Sequence, residues 1–118
     1  MSFNKNLKNK RMKEFYYITL LPNKETGAKY KLTINHRQIF ITYFDTKLKS
    51  ERDFVFVNFR KESDYNSILI QQQVANGIKE VCSGSMKKYG LSLDSNCLDI
   101  IDESIKKALG WGIKQFLT

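Results

Sequence analysis

The apolar residues of this chain keep two different rhythms, and the change between them near residue 62 constrains the fold more than any other feature. Up to Arg60 they tend to recur at every second position, whereas beyond Ser63 they recur every third or fourth. A period of two marks a strand half-buried in a sheet, and a spacing of three to four marks one face of a helix. Strands first and helices after them predict an α+β domain, with an antiparallel sheet covered on one face by helices.

Residues 15–21 read as the first strand, and the run from Pro22 to Gly27 supplies turn chemistry. Tyr30, Leu32 and Ile34 alternate with polar residues over 29–35, residues 35–38 make a short connection, and 39–44 form a third strand. Residues 45–52 read as a polar loop and 53–60 as the fourth strand. Sequential strands with short links predict a four-stranded meander, with a partial OB-like barrel as the alternative architecture. Ser63 or Asp64 then caps a helix carrying Ile70, Val74, Ile78, Val81 and Cys82, with Gly84 at its stop. A second helix opens at Asp94 or Ser95 and carries Leu98, Ile101, Ile105 and Leu109. Its early acids Asp99, Asp102 and Glu103 precede Lys106 and Lys107, the order that the helix dipole favours. Gly110 and Gly112 interrupt the pattern before Trp111 and Phe116.

Residues 2–13 are polar and Lys/Asn-rich, which predicts a flexible basic arm over 1–13 ahead of a single domain over 14–118. The net charge of +8 is unevenly spread. The first 13 residues hold five Lys/Arg and no acid, residues 24–61 hold nine against four acids, residues 62–118 hold six against seven, and Glu14 supplies the last negative charge. Segregation of this kind points to a polyanionic partner more than a uniform scatter would. The abundance of Phe, Tyr, Ile, Asn and Lys fits an AT-rich coding sequence, as in a phage or mobile element. The longest apolar stretches fall well short of the roughly 20 residues that cross a bilayer, and no leader pattern opens the chain. No membrane association is therefore expected, and the chain is placed in the cytoplasm, that of the host if the origin is viral.

Splitting each strand into its two faces separates two chemistries. One face collects Tyr16, Ile18 and Leu20, then Tyr30, Leu32 and Ile34, then Ile39, Ile41 and Tyr43, then Val55, Val57 and Phe59, and is expected beneath the helices. The other collects Phe15, Tyr17, Lys29, Lys31, Phe40, Phe44, Arg52, Phe54, Phe56 and Arg60, and mixes rings with cations. Rings stack on unpaired bases while Lys and Arg meet phosphates, at roughly 1 to 3 kcal/mol per stacked base. The same rings would equally serve a barrel interior, a helix contact or a dimer interface.

Residues 52–59 resemble the RNP1 octamer of RNA-recognition motifs, in which the third- and fifth-position aromatics stack on bases. Arg52, Phe54, Phe56, Val57 and Phe59 fit it, whereas Asp53 replaces its glycine and Val55 its small residue. The likeness spans eight residues, and residues 15–50 hold no candidate for the helix that the family places between its first two strands. It therefore carries only the local logic of Phe54 and Phe56 on a basic strand.

Chemistry for catalysis is thin. His36, the lone histidine, sits in a turn beside Arg37, where a solvated or phosphate-facing role is expected, and it leaves no two-histidine metal motif. Cys82 and Cys97 stand far apart and read as small buried hydrophobes. Gly84-Ser85 lacks phosphate-loop spacing. Asp99, Asp102 and Glu103 suit capping and solvation better than magnesium binding. No cofactor or metal is expected.

The sequence thus predicts a non-enzymatic binder of single-stranded DNA or RNA in phage or mobile-element replication. Its contacts would be Lys8, Lys10, Arg11, Lys13, Tyr17, Lys29, Lys31, Arg37, Phe40, Phe44, Arg52, Phe54, Phe56 and Arg60. The competing reading is a protein-interaction module, including a homodimer, that buries the aromatic face and the C-terminal helix against a partner.

Overall fold

Four strands, β1 (Tyr16–Pro22), β2 (Lys29–Asn35), β3 (Gln38–Asp45) and β4 (Ser50–Asn58), pair antiparallel in chain order in the computed structural model, which describes residues 14–117. The arm expected over 1–13 lies outside the described residues. β1 and β4 are the two edges, so the sheet is an open meander and not a barrel. Helix α1 (Ser67–Cys82) packs against β4, and α2 (Ser95–Leu109) against β1 and β2. Between the layers Leu32, Ile34, Ile39 and Ile41 of the sheet meet Ile70, Val74, Ile78, Ile101 and Ile105 of the helices, all within 2% of full burial. Each such side chain contributes roughly 1.5 to 3 kcal/mol through burial.

Ile70, Val74, Ile78, Val81, Ile101 and Ile105 of the expected helix stripes are buried, Leu98 and Leu109 only half-buried, and α1 starts later than its sequence suggests. Residues 62–65 form a 3-10 turn instead. The Asp64 carboxylate accepts the backbone N–H groups of Arg60 at 2.7 Å and Lys61 at 3.1 Å, and so is spent on that turn. Asn66 caps α1, its side chain accepting from the Leu69 N–H at 3.0 Å. Asp94 caps α2 as expected, accepting from the Cys97 N–H. Cys97 is buried and burial pushes its thiol up to about 12, whereas Cys82, expected inside, is exposed at the last turn of α1.

The first strand, and the fourth before a bulge, present the opposite faces from those expected, whereas Val57 and Phe59 are buried as expected. In β1 the buried set is Leu21 with half-buried Tyr17 and Thr19, while Tyr16, Ile18 and Leu20 point away from the helices. A clamp at the β1–β2 turn sets this register. The second Asp94 oxygen accepts the N–H groups of Lys24 at 2.7 Å and Glu25 at 3.2 Å, and the Asn23 amide donates to the Ser92 carbonyl. With the turn held against the start of α2, Leu21 lies opposite Tyr30 and over the core. Gly27 completes the turn at φ +82, where a side chain is disfavoured.

In β4 a bulge intervenes. Val55 lies opposite Phe40 and Val57 opposite Ile39, so Phe56 is an extra residue on β4. Before the bulge Arg52 and Phe54 share the helix side with Tyr43 and Ile41, and Asp53 and Val55 face away; after it Val57 turns inward. Phe56 is buried against α1, where a Cβ at Gly77 would fall 2.4 Å from its ring. Phe54 meets it edge-on with centroids 5.4 Å apart. Phe59 remains in the core as expected, stacked on Tyr65 at 4.7 Å.

The segment after α2 folds back onto it. Asp102, expected in solvent, is almost fully buried and accepts the N–H groups of Ile113 at 2.8 Å and Lys114 at 3.1 Å. Burial pushes its carboxyl up, but those hydrogen bonds and the Lys106 ammonium outweigh it and hold the group below the usual carboxylate range. Gly112 is needed there because a Cβ would fall 2.4 Å from the Asp102 oxygen.

Candidate interaction surface

The sheet has one face covered by the helices and one that no element among the described residues covers. Pairing aligns the uncovered side chains in rows across the strands. Ile18, Thr33, Phe40 and Val55 form one row that is apolar apart from the threonine hydroxyl. Leu20, Lys31, Thr42 and Asp53 form the next. Beyond them, Tyr16 pairs with Asn35 and Gln38 with Asn58 at one end, and Pro22 with Lys29 and Phe44 with Glu51 at the other.

Exposure on this face is concentrated in large side chains: Tyr16 69%, Leu20 64%, Phe44 55%, Ile18 51% and Val55 37%. An isolated exposed leucine is ordinary, whereas here three of the five stand together on the β1 edge, with Phe44 on β3 and Val55 on β4. Thr33, flanked by Ile18 and Phe40 in the same row, is only 1% exposed. The fixed charges divide by strand, with Lys29 and Lys31 on β2 and Glu51 and Asp53 on β4. Asp53 accepts the Thr42 hydroxyl at 2.9 Å, and the Gln38 amide donates to Asn58 at 2.8 Å, so the polar groups of β3 and β4 are oriented before any partner arrives.

Of the residues singled out in the sequence, Lys29, Lys31, Phe40 and Phe44 come together here. Tyr17, Arg52, Phe54 and Phe56 do not, since all four lie on the helix side of the sheet. Arg37 and Arg60 sit at one end of the sheet and line a cleft of about 580 Å³ with His36 and Asn58. Lys8, Lys10, Arg11 and Lys13 lie outside the described residues. His36 departs from its expected solvation: it is half-buried beside the Phe15 ring at 6.5 Å, and its Nδ1 has no hydrogen-bond partner. Tyr16, Ile18, Leu20 and Val55 were assigned to the core and are instead the substance of the open face.

Elsewhere, a polar groove of about 680 Å³ runs between the β4 edge and α1, over Phe54, Phe56, Asn76 and Gly77. The Lys47 and Lys88 ammonium groups flank the Tyr89 ring at 5.5 and 5.3 Å, which accounts for both by cation–π attraction. Among the described residues no cluster of three or more His, Cys, Asp or Glu is placed to hold a metal ion, and no helix is long and apolar enough to cross a membrane. No protein-family model, curated protein or solved structure matches the chain.

Proposed function

We propose that this protein is a non-catalytic interaction module whose open sheet face docks onto another protein surface. The observation that carries the reading is the exposure of Tyr16, Ile18, Leu20, Phe44 and Val55 on one face of a sheet whose other face packs against the helices. Three of these are aliphatic, and aliphatic side chains offer packing to a protein partner but no stacking surface to a base. The two lysines of the face are matched by two acids, so it lacks the cationic excess that a nucleic-acid backbone selects. A photo-crosslinking residue placed at Leu20 should yield a discrete protein adduct in cells, and the same residue at Lys107 on α2 should yield none. Equal adducts from both positions, or adducts to nucleic acid alone, would sink the reading.

Single-strand nucleic-acid binding is the second reading, favoured by the presence of Phe40, Phe44, Lys29 and Lys31 on one face and of Arg37 and Arg60 at its end. It requires oligonucleotide affinity that falls steeply with salt and drops when Lys29 and Lys31 are both replaced by Ala.

A further inference from the structure

We propose that the occupant of the open face is a second copy of this chain, related by a two-fold axis that runs parallel to the strands between β2 and β3. The inference rests on the docking reading above and names its partner. A two-fold in that position keeps each row at its own height and exchanges the strands, laying β1 over the partner's β4 and β2 over the partner's β3. The apolar row then meets itself in reverse: Ile18 over the partner's Val55, Thr33 over the partner's Phe40, and the converse pair beyond the axis. Tyr16, Asn35, Gln38 and Asn58 become a polar rim at one end, and the charged residues a rim at the other, the arrangement expected of a protein interface.

Charge selects this axis over the others. Lys31 comes to lie over the partner's Thr42, whose neighbour across the strand pair is Asp53. With sheets stacked about 10 Å apart and adjacent strands about 4.8 Å apart, the two backbones are roughly 11 Å from one another, a gap that a lysine and an aspartate span together. Lys29 approaches the partner's Glu51 in the same way at the next row. Each contact occurs twice by symmetry. A two-fold across the strands would instead stack β2 on β2 and β4 on β4, and no lysine would meet an acid. Four strands of about seven residues present a projected face of roughly 19 by 23 Å, or about 440 Å² per copy, which is below the roughly 800 Å² per partner of a standard interface and predicts a weak, concentration-dependent dimer.

Sedimentation equilibrium of the full chain over a wide concentration range tests this with two charge variants. One carries Lys29→Glu with Lys31→Asp and has only acids at these positions; the other carries Glu51→Lys with Asp53→Lys and has only cations. The wild type should dimerise, each variant alone should dimerise at least tenfold more weakly, and an equimolar mixture should recover a one-to-one dimer. That recovery also shows that both variants are folded. Ile18→Lys, at an exposed position on β1, should give a monomer that keeps the wild-type circular dichroism. A wild type that stays monomeric at every concentration overturns self-pairing, and if the Leu20 crosslinker then captures a different protein, the docking reading survives it. Variants that dimerise as well as the wild type, or a mixture that does not pair, overturn the axis.

Discussion

On two strands of this sheet, neighbouring apolar residues are parted between a face that is a core and a face that is not. On β1, Leu21 is fully buried and Leu20 beside it is 64% exposed. On β4, Phe56 is buried and Val55 beside it is open. Hydrophobicity therefore does not decide which face a residue joins. What decides is which alternate set the turns and the bulge aim at the helices. The difference teaches that the exposed Ile18, Leu20, Phe44 and Val55 are residues that would serve a core, set on the open face among lysines, acids, amides and threonines.

The strongest way to break this contrast is at the bulge. Phe56→Ala should cost about 3 to 4 kcal/mol in chemical denaturation, the range for removing a buried aromatic ring. Val55→Ala should cost well under 1 kcal/mol. Comparable losses at the two positions would mean that β4 has no bulge and that its faces are reversed. The same comparison on β1 sets Leu21→Ala, at about 3 kcal/mol, against the adjacent Leu20. Gly77→Ala should cost about 1 to 3 kcal/mol, because Phe56 blocks the added methyl; a neutral outcome would move that ring out of α1's surface.

How much of this was legible beforehand depends on where the information lies along the chain. The two helices were legible because Ile70, Val74 and Ile78, and Ile101 and Ile105, repeat at helical spacing within their own segments. The existence and order of the strands were legible for the same local reason. The face of β1 was not, because Tyr16-Ile18-Leu20 and Tyr17-Thr19-Leu21 are both plausible core sets, and the choice is made by Asp94, about 70 residues downstream. The bulge at Phe56 leaves no mark in composition. Extending the first strand's alternation to Leu21, which abuts the turn at Pro22, was the one local signal for the β1 register. The candidate surface was accordingly half visible: Lys29, Lys31, Phe40 and Phe44 lie on strands whose faces were read correctly, whereas Tyr16, Ile18, Leu20 and Val55 do not.

The covered side is also the one that acid should loosen. Hydrogen bonds to Asp94, led by that from Cys97, hold its carboxyl low, and Asp102 is held low against the opposing effect of its burial. A carboxyl whose folded pKa lies below its unfolded value of about 3.9 contributes stability above that pH and loses it as pH falls through the folded value. Stability should therefore be level from neutrality to about pH 5 and decline below pH 4. Asp102→Asn should cost about 1 to 3 kcal/mol at pH 7 and flatten part of that decline. An unchanged acid profile would show that Asp102 does not hold the C-terminal segment onto α2.

The smallest effect is the most demanding of the open face. Leu20→Glu, measured on dilute protein where any self-association is lost, should shift stability by no more than about 0.5 kcal/mol, since the Leu20 side chain already stands in water, whereas in the dimer it would set an acid over the partner's Asp53. Repeated at high concentration, the same substitution should lower the apparent stability relative to wild type, because a partner that binds only the folded chain stabilises it in proportion to its own occupancy. A cost above about 1 kcal/mol in dilute solution would mean that Leu20 packs within its own chain, and the contrast between the two faces would lose its basis at the position where it is sharpest. A cost that stays negligible at both concentrations would leave the face open but unpaired.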